Sequence, residues 1–201
     1  MGLNRFCQVC LRLHPTLGKK RPKIPKPQTG TDCWKIIESH LNSSGVHLAA
    51  GLDDVRALVC NAFSIDADAS NASIDCLIES WTLHNGSNQV GLFPVADDIA
   101  YLFMSVEEAA EARRMLMEVE AIDYPSQPSA WTSRIPVAEN TAGDYLVIDL
   151  GCENDGAVSR FSHETTRFRK TAKTFLAILQ RVAKDVAQGK LCYDRDSNTR
   201  V

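Results

Sequence analysis

Two groups of carboxylates have the residue types and the close spacing that could bind a divalent cation or a basic partner. Asp97 and Asp98 are adjacent, and Asp149, Glu153 and Asp155 share one short segment. A calcium-binding loop also needs a central glycine and a closing glutamate at fixed positions, which the second group lacks. The sequence therefore favours solvated acidic turns and predicts no metal and no other cofactor.

Histidine and cysteine could also do chemistry. His84 and His163 each precede a predicted turn or helix start, where an imidazole could act as a general base. Neither has a partner that the sequence identifies, so hydrogen-bonded structural roles are favoured. Cys7-x-x-Cys10 with His14 could provide three zinc ligands, but this spacing is incomplete.

The motifs of common enzyme mechanisms are missing from the sequence. It contains no Gly-x-Ser-x-Gly turn, no His-Glu-x-x-His zinc motif and no glycine-rich phosphate loop. The sequence also identifies no nucleophile beside a base and no carboxylate pair set in a pocket. We therefore expect a protein without catalytic activity.

Charge is divided into three blocks along the chain. Residues 1–30 carry a net charge of +7, residues 31–159 carry −16 and residues 160–201 carry +6, for a total of −3. A strongly acidic body repels the phosphates of nucleic acids and attracts basic surfaces. The charge pattern therefore predicts a basic protein partner and no direct nucleic-acid ligand.

Composition and cysteine usage indicate a cytoplasmic globular protein. With 44% hydrophobic and 23% charged residues, the 201-residue chain can form a core. Its seven cysteines are an odd number with irregular spacing, which fits reduced thiols better than a disulfide framework. The sequence shows neither the apolar stretch of a signal peptide nor a segment that could span a bilayer. We therefore expect neither export nor membrane binding.

Apolar spacing and capping residues predict three helices in the first half of the folded region. They start at Thr31-Asp32, at Asp53 and at Ser70 or Asn71, and the third ends at Asn85-Gly86 with a left-handed cap. Their expected buried residues are, in turn, Cys33, Trp34, Ile37 and Leu41; Val55, Leu58, Val59 and Ala62; and Ile74, Leu77, Ile78 and Trp81.

Beyond Gly86, short runs rich in β-branched and aromatic residues predict strands at 90–93, 100–104, 134–137, 145–150 and 157–161. One acidic helix interrupts them, where a Ser105 and Glu108 capping box precedes the apolar residues Ala109, Ala112, Leu116 and Val119. A last helix, ending at Gly189, is predicted from apolar steps of four and three residues at Phe168, Ala172, Phe175, Leu179, Val182 and Val186.

Helices followed by strands and a final helix indicate an α+β domain. We expect a mostly antiparallel sheet of about five strands, packed with N-terminal helices and a long C-terminal helix. The domain is predicted to cover residues 31–190. Residues 1–30, with the basic and proline-punctuated run 19–27, are expected to form a tail or linker, and 191–201 a C-terminal tail.

Several short motifs are informative through their shared order and spacing. They are Trp34-x-x-Ile37-Glu38-x-x-Leu41, Leu52-Asp53-Asp54-Val55, His84-Asn85-Gly86, Gly91-Leu92-Phe93, Ile135-Pro136-Val137-Ala138, Gly143-Asp144-Tyr145-Leu146, Ile148-Asp149-Leu150, Gly156-Ala157-Val158, His163 and a final helix around Phe175. In this order they resemble the SUKH superfamily, which groups the fungal cell-wall-assembly regulator with many bacterial immunity proteins. The resemblance covers most of residues 31–187.

This resemblance implies a non-enzymatic protein-binding domain. Bacterial members commonly neutralise nuclease or other cytoplasmic toxins of polymorphic or contact-dependent systems by direct complex formation, and a nuclease is basic where it holds phosphates. We therefore expect an immunity protein that binds a basic toxin domain. Acidic loops at the sheet edge are the expected contact, through Asp97, Asp98, Asp149, Glu153 and Asp155. The alternative is a regulatory interaction module like the fungal regulator.

Overall fold

A computed structural model describes residues 11–13, 26–66, 71–95, 99–151 and 155–193 of the chain. The helices in these ranges are α1 (Gly30–Ser43), α2 (Val55–Phe63), α3 (Ala72–Leu83), α4 (Val106–Asp123) and α5 (Phe175–Ala187). The strands are β1 (Leu11–Leu13), β2 (Gly91–Val95), β3 (Ile99–Phe103), β4 (Arg134–Glu139), β5 (Tyr145–Asp149), β6 (Ala157–Ser162), β7 (Arg167–Ala172) and β8 (Leu191–Tyr193).

Six of these strands form one antiparallel sheet in the order β2-β3-β4-β5-β6-β7. Neighbours in the sheet are therefore also neighbours along the chain, and α4 is inserted between β3 and β4. Helices α1, α3 and α5 pack together, and α5 also contacts β2 and β7. The predicted α+β class, antiparallel sheet and C-terminal helix are confirmed.

Large aromatic side chains form the centre of the core. Phe93, Phe103 and Phe175 contact one another with ring centroids 6.1 to 6.3 Å apart. Trp34 and Trp81 pack on Phe103 at 5.7 and 6.1 Å. Both indole N–H groups are satisfied, because Trp34 donates to a serine hydroxyl at 2.9 Å and Trp81 to a backbone carbonyl at 2.8 Å. Burial of Trp34 and Phe175 agrees with the sequence analysis.

A second aromatic cluster covers one face of the sheet beyond this core. Tyr145, Phe161 and Phe168 stand opposite one another on β5, β6 and β7, so their side chains share a face. Trp131, from the connection between α4 and β4, lies 4.9 Å from Phe161 and 5.3 Å from Phe168. The neighbouring Leu146 points to the other face and is also buried. Strand β5 is therefore covered on both faces.

Capping residues set the starts of α1, α3 and α4. Thr29 is the N-cap of α1, two residues earlier than the sequence predicts, and Asp32 completes its capping box. Asn71 caps α3, and Ser105 with Glu108 forms the predicted capping box of α4. Only the first of these caps differs from the expectation.

Helix α2 corrects part of the predicted core. Its buried residues are Val55, Val59 and Phe63, which follow one another at intervals of four. Leu58 and Ala62, which the sequence predicts as buried, are exposed. The buried face of α2 is a narrow stripe of single residues four apart, formed where α2 packs on α3 and α4, and Leu58 and Ala62 lie outside it.

The largest difference concerns the start of the last helix. Phe168 and Ala172 belong to β7 and not to α5. Thr174 is extended and its Oγ1 accepts a hydrogen bond from the backbone N–H of Ala177, so α5 begins at Phe175. The five predicted strands correspond to β2–β6, and β7 is the strand that the sequence analysis missed.

The segments predicted as tails each contribute a strand outside the main sheet. Leu11–Leu13 pairs antiparallel with Leu191–Tyr193, with Leu13 opposite Leu191. Leu191 is buried. Neither three-residue strand has a sequence signal long enough to be predicted, so this link between the two ends of the chain is a finding of the structure.

Candidate protein-binding surface

The structure describes two of the five carboxylates that the sequence predicts as partner contacts. Asp97, Asp98 and Glu153 lie outside the described residues. Asp149 is the last residue of β5, and Asp155 lies shortly before β6.

In the sequence, Asp97 and Asp98 come between β2 and β3, and Glu153 and Asp155 come between β5 and β6. The strand ends beside these two connections lie at opposite ends of the sheet. In the antiparallel register, Leu102 of β3 stands opposite Glu139, whereas Asp149 of β5 stands opposite Arg134 at the other end of β4. The facing ends of β2 and β3 therefore lie at one end of the sheet, and the end of β5 lies at the other. At about 3.3 Å per residue, these strand ends are roughly 25 Å apart. Asp149 therefore lies at the end of the sheet opposite to the facing ends of β2 and β3.

Asp149 is a buried structural residue, which corrects the expectation of an exposed loop carboxylate. Its side chain is 7% exposed, and Oδ2 accepts a hydrogen bond from Arg134 Nη2 at 2.9 Å. Its Oδ1 accepts one from the backbone N–H of Gly151 at 3.0 Å. The Arg134 guanidinium also lies 4.3 Å from the ring centroid of Phe168. Asp149 therefore holds Arg134 over the second aromatic cluster. Its buried carboxylate is used in contacts within the protein and is not exposed to a partner.

Asp155 is exposed, as predicted, but it also makes an internal contact. Its carboxylate accepts a hydrogen bond from the side-chain amide of Asn71, whose carbonyl oxygen caps α3. The Ser73 hydroxyl donates to the backbone carbonyl of Gly156 at 2.5 Å. The connection between β5 and β6 is therefore fastened to the N-terminus of α3 at this point.

Asp144 organises a polar cluster at the β4–β5 turn. Its Oδ2 accepts from Arg160 Nη2 at 2.8 Å, and its Oδ1 lies 3.0 Å from His163 Nδ1. Burial would raise the pKa of Asp144, but hydrogen bonds from Arg160 and His163 outweigh it and hold that pKa below its ordinary value. The carboxylate is therefore ionised at neutral pH and ties the β4–β5 turn to β6 and the following turn.

His84 also has internal partners. Its Nε2 lies 3.0 Å from Glu38 Oε1, and its Nδ1 lies 3.2 Å from the backbone carbonyl oxygen of Ala49. The imidazole packs on Trp34 with ring centroids 4.9 Å apart. Like His163, this histidine occupies the structural role that the sequence favours.

Asn85 connects the end of α3 to the start of α4. Its Oδ1 accepts from the backbone N–H of Val106 at 2.9 Å, and its Nδ2 donates to Glu107 Oε2 at 3.0 Å. The predicted left-handed cap is absent, because α3 ends at Leu83 and the next residue is extended. Gly86, with φ of +97°, lies in the turn beyond. The short motif at 84–86 therefore positions α4.

Helix α4 carries a dense group of carboxylates. It contains six acidic residues, namely Glu107, Glu108, Glu111, Glu118, Glu120 and Asp123, against two arginines. Hydrogen bonds from Arg114 lower the pKa of Glu111, and the hydrogen bond from Asn85 lowers the pKa of Glu107. The carboxylates at 107 and 111 are therefore ionised at neutral pH, and α4 is a strongly negative element.

Both arginines of α4 are already bound to groups of the protein itself. Arg113 donates to the backbone carbonyls of Trp131, Phe63 and Thr132 at 2.9, 3.1 and 2.6 Å. Arg114 pairs with two carboxylates of its own helix, Glu111 and Glu118. The negative charge of the other acidic residues is therefore left uncompensated within the helix.

Exposed apolar side chains are concentrated on the same helix. Five large apolar residues are exposed among the described side chains, and four of them are Met115, Val119, Ile122 and Tyr124, on α4 and directly after it. The sequence predicts Val119 as buried, and this is wrong. Two stripes at helical spacing overlap in α4, and only the packing of Ala109 and Ala112 on the fold shows which one faces inwards.

A cavity of about 230 Å³ lies beside the start of α4. Glu108 and Glu139 both line it, together with Ser87 and Leu102. Burial raises the pKa of Glu139, and the negative charge of Glu108 raises it further. This cavity therefore has the electrostatics that favour a positively charged group.

The remaining chemical candidates are structural where the structure describes them. Burial raises the pKa of the Cys33 and Cys76 thiols to about 12, so both remain protonated. Within the described ranges, no group of three or more His, Cys, Asp or Glu residues could hold a metal ion. Cys7, Cys10 and His14 lie outside those ranges. No helix among the described residues has the length and apolar character needed to cross a membrane.

Comparison with known protein families identifies a match for the sheet and the helices around it. The model of the family described as SMI1 / KNR4 family (SUKH-1) matches residues 74–181, which is more than half of the chain. The matched range runs from α3 through the six-stranded sheet and α4 into α5. No curated protein matches the chain.

Proposed function

We propose that this chain, which belongs to the SMI1 / KNR4 family (SUKH-1), is an immunity protein that binds and neutralises a basic toxin domain. The toxin is of the nuclease type and acts in the cytoplasm, where this protein also resides, as part of a polymorphic or contact-dependent toxin system. Neutralisation occurs by formation of a direct protein complex, without catalysis and without a cofactor.

The observation that carries this proposal is the negative charge of residues 31–159, which form most of the folded domain. Residues 31–159 carry a net charge of −16, and five of the six acidic residues of α4 are exposed while its arginines are engaged within the protein. A nuclease must hold phosphates and is basic at its active face. Complementary charge steers two such surfaces together and disfavours partners of the same sign.

Four of the predicted contact residues remain part of the proposal. Asp97, Asp98, Glu153 and Asp155 supply further negative charge for contact with a basic partner. Asp149 is left out, since its carboxylate is buried against Arg134.

A regulatory interaction module is the second candidate. It is favoured by the basic, proline-punctuated run at 19–27, which has the composition of a signalling contact. Such a module binds several partners weakly, whereas an immunity protein binds one partner tightly.

Affinity capture of the full chain from its native cells tests the proposal. We expect one basic protein in an equimolar complex that survives gel filtration and weakens as the salt concentration rises, because surface charges are screened over about 8 Å at physiological ionic strength. Several weakly bound partners would favour the regulatory module. Turnover of a small molecule by the isolated chain would contradict a purely binding role.

A further inference from the structure

We propose that the outward face of α4 is the docking site for this basic protein, with an apolar side chain of the partner resting on Met115, Val119 and Ile122. Cationic side chains of the partner meet the carboxylates that border this apolar strip. The class of partner rests on the proposed function, but the position of the site rests on the geometry of α4 alone.

The apolar strip is continuous along one side of the helix. Met115, Val119 and Ile122 are separated by four and three residues, which puts them on one face. Their exposed fractions are 45%, 52% and 79%. Tyr124 follows directly after the helix and is 51% exposed. Exposed apolar residues are unremarkable singly, whereas a grouped set bordered by polar residues marks an interaction site.

The charged residues that border the apolar strip indicate which kind of partner can bind there. Glu111 lies one turn before Met115, and Glu118 lies one turn before Ile122, so carboxylates alternate with apolar side chains on the outward face. Arg114 pairs with both of these carboxylates but neutralises only one unit of charge. A partner with an apolar anchor between lysines or arginines complements this pattern, and an acidic partner does not.

The helix is held in place before any partner binds. The three backbone carbonyls bound by the Arg113 guanidinium belong to α2 and to the α4–β4 connection. Asn85 fixes the other end of α4 through Val106 and Glu107. A docking face that is already rigid loses less conformational entropy on binding.

The cavity at the start of α4 extends the same negative surface. Glu108, which lies one helical turn before Glu111, lines it together with Glu139. Two carboxylates beside one small cavity are stabilised by a cation between them. This position is therefore complementary in charge to a lysine or arginine of a partner bound along α4.

Nuclear magnetic resonance titration of the full chain tests the docking site without knowledge of the natural partner. The probe is a synthetic amphipathic helical peptide of lysine and leucine, and the control probe has glutamate in place of lysine. We expect chemical-shift changes concentrated at residues 108–124 with the basic peptide only. Changes confined to other residues, equal binding of both peptides, or no binding of either would overturn the proposal.

Two pairs of substitutions test the apolar strip and the bordering carboxylates of α4 separately. Met115→Ser with Ile122→Ser is expected to weaken peptide binding at least about tenfold, because central apolar anchors dominate such contacts. Glu111→Gln with Glu118→Gln is expected to weaken it most at low salt. Glu164→Gln, an exposed carboxylate in the β6–β7 turn, is the matched control and should bind like wild type. All variants should melt like wild type, because the changed residues are exposed.

The same variants show whether a negative result contradicts the α4 docking site or the proposed function. If affinity capture yields a basic partner that the α4 variants bind normally, the proposed function stands and the α4 site is wrong. Loss of binding in Asp97→Lys with Asp98→Lys alone would then move the contact to the β2–β3 connection. If the peptide maps to α4 but no basic protein is captured, the site stands and toxin neutralisation does not.

Discussion

Replacing Phe175 with alanine lowers the free energy of unfolding by about 3 to 5 kcal/mol. This ring is fully buried at the first position of α5 and contacts Phe93 and Phe103 with centroids 6.1 and 6.3 Å away. Its removal loses the transfer free energy of the ring and leaves a cavity among stacked aromatic side chains that collapse poorly. Helix α5 would then lose its main contact with β2 and β3.

Urea unfolding followed by circular dichroism measures this change. Tyr124→Ala is the matched control, because it removes an aromatic ring that is half exposed, and we expect a change within about 0.5 kcal/mol. Equal midpoints for the two variants would show that α5 does not pack on the sheet as described.

Replacing Asp149 with alanine is expected to cost about 3 kcal/mol or more, because Arg134 would keep its charge beside the second aromatic cluster without a carboxylate. Arg134 Nη2 lies 2.9 Å from Asp149 Oδ2, and the guanidinium sits on the Phe168 ring. The matched control is Glu164→Ala, which removes an exposed carboxylate from the β6–β7 turn.

A double-mutant cycle with Arg134→Leu separates the ion pair from the rest of the site. The double variant Asp149→Ala with Arg134→Leu should recover part of the lost stability, because no charge is then left unpaired. Equal, small effects of Asp149→Ala and Glu164→Ala on the midpoint of urea unfolding would mean that Asp149 is solvated. Asp149 would in that case be restored as a contact residue.

Local signals in the sequence were sufficient for most of the fold. Helix α4 has a Ser105 and Glu108 capping box whose two hydrogen bonds depend only on residues three apart, and α3 starts at the Asn71 cap for the same reason. Strands β4 and β5 are short apolar runs bounded by turn residues. Such features are decided within a few residues and can be predicted from them.

Strand β7 could not be predicted, because the spacing from Phe168 to Ala172 to Phe175 fits a helix as well as a strand followed by a helix. The choice depends on Phe168 packing against Trp131 and Phe161, which are distant in sequence. Hydrophobic periodicity alone cannot distinguish these alternatives.

The contact residues were harder to predict than the fold, because exposure is a property of the assembled molecule. Asp149 has the sequence context of a turn, but its partner Arg134 lies fifteen residues earlier on the neighbouring strand. Val119 belongs to two overlapping apolar stripes, and only the packed side of α4 identifies the exposed one. The charge of residues 31–159, in contrast, was readable directly because it needs no spatial arrangement.

A titration of the captured basic protein with this chain tests toxin neutralisation most directly. The rate of nucleic-acid cleavage by the partner is measured at fixed salt as the chain is added, with the double variant Met115→Ser and Ile122→Ser as the control. We expect cleavage to fall to background at one equivalent of the wild-type chain and to persist with the variant. Full cleavage in the presence of saturating wild-type chain would contradict the proposed function.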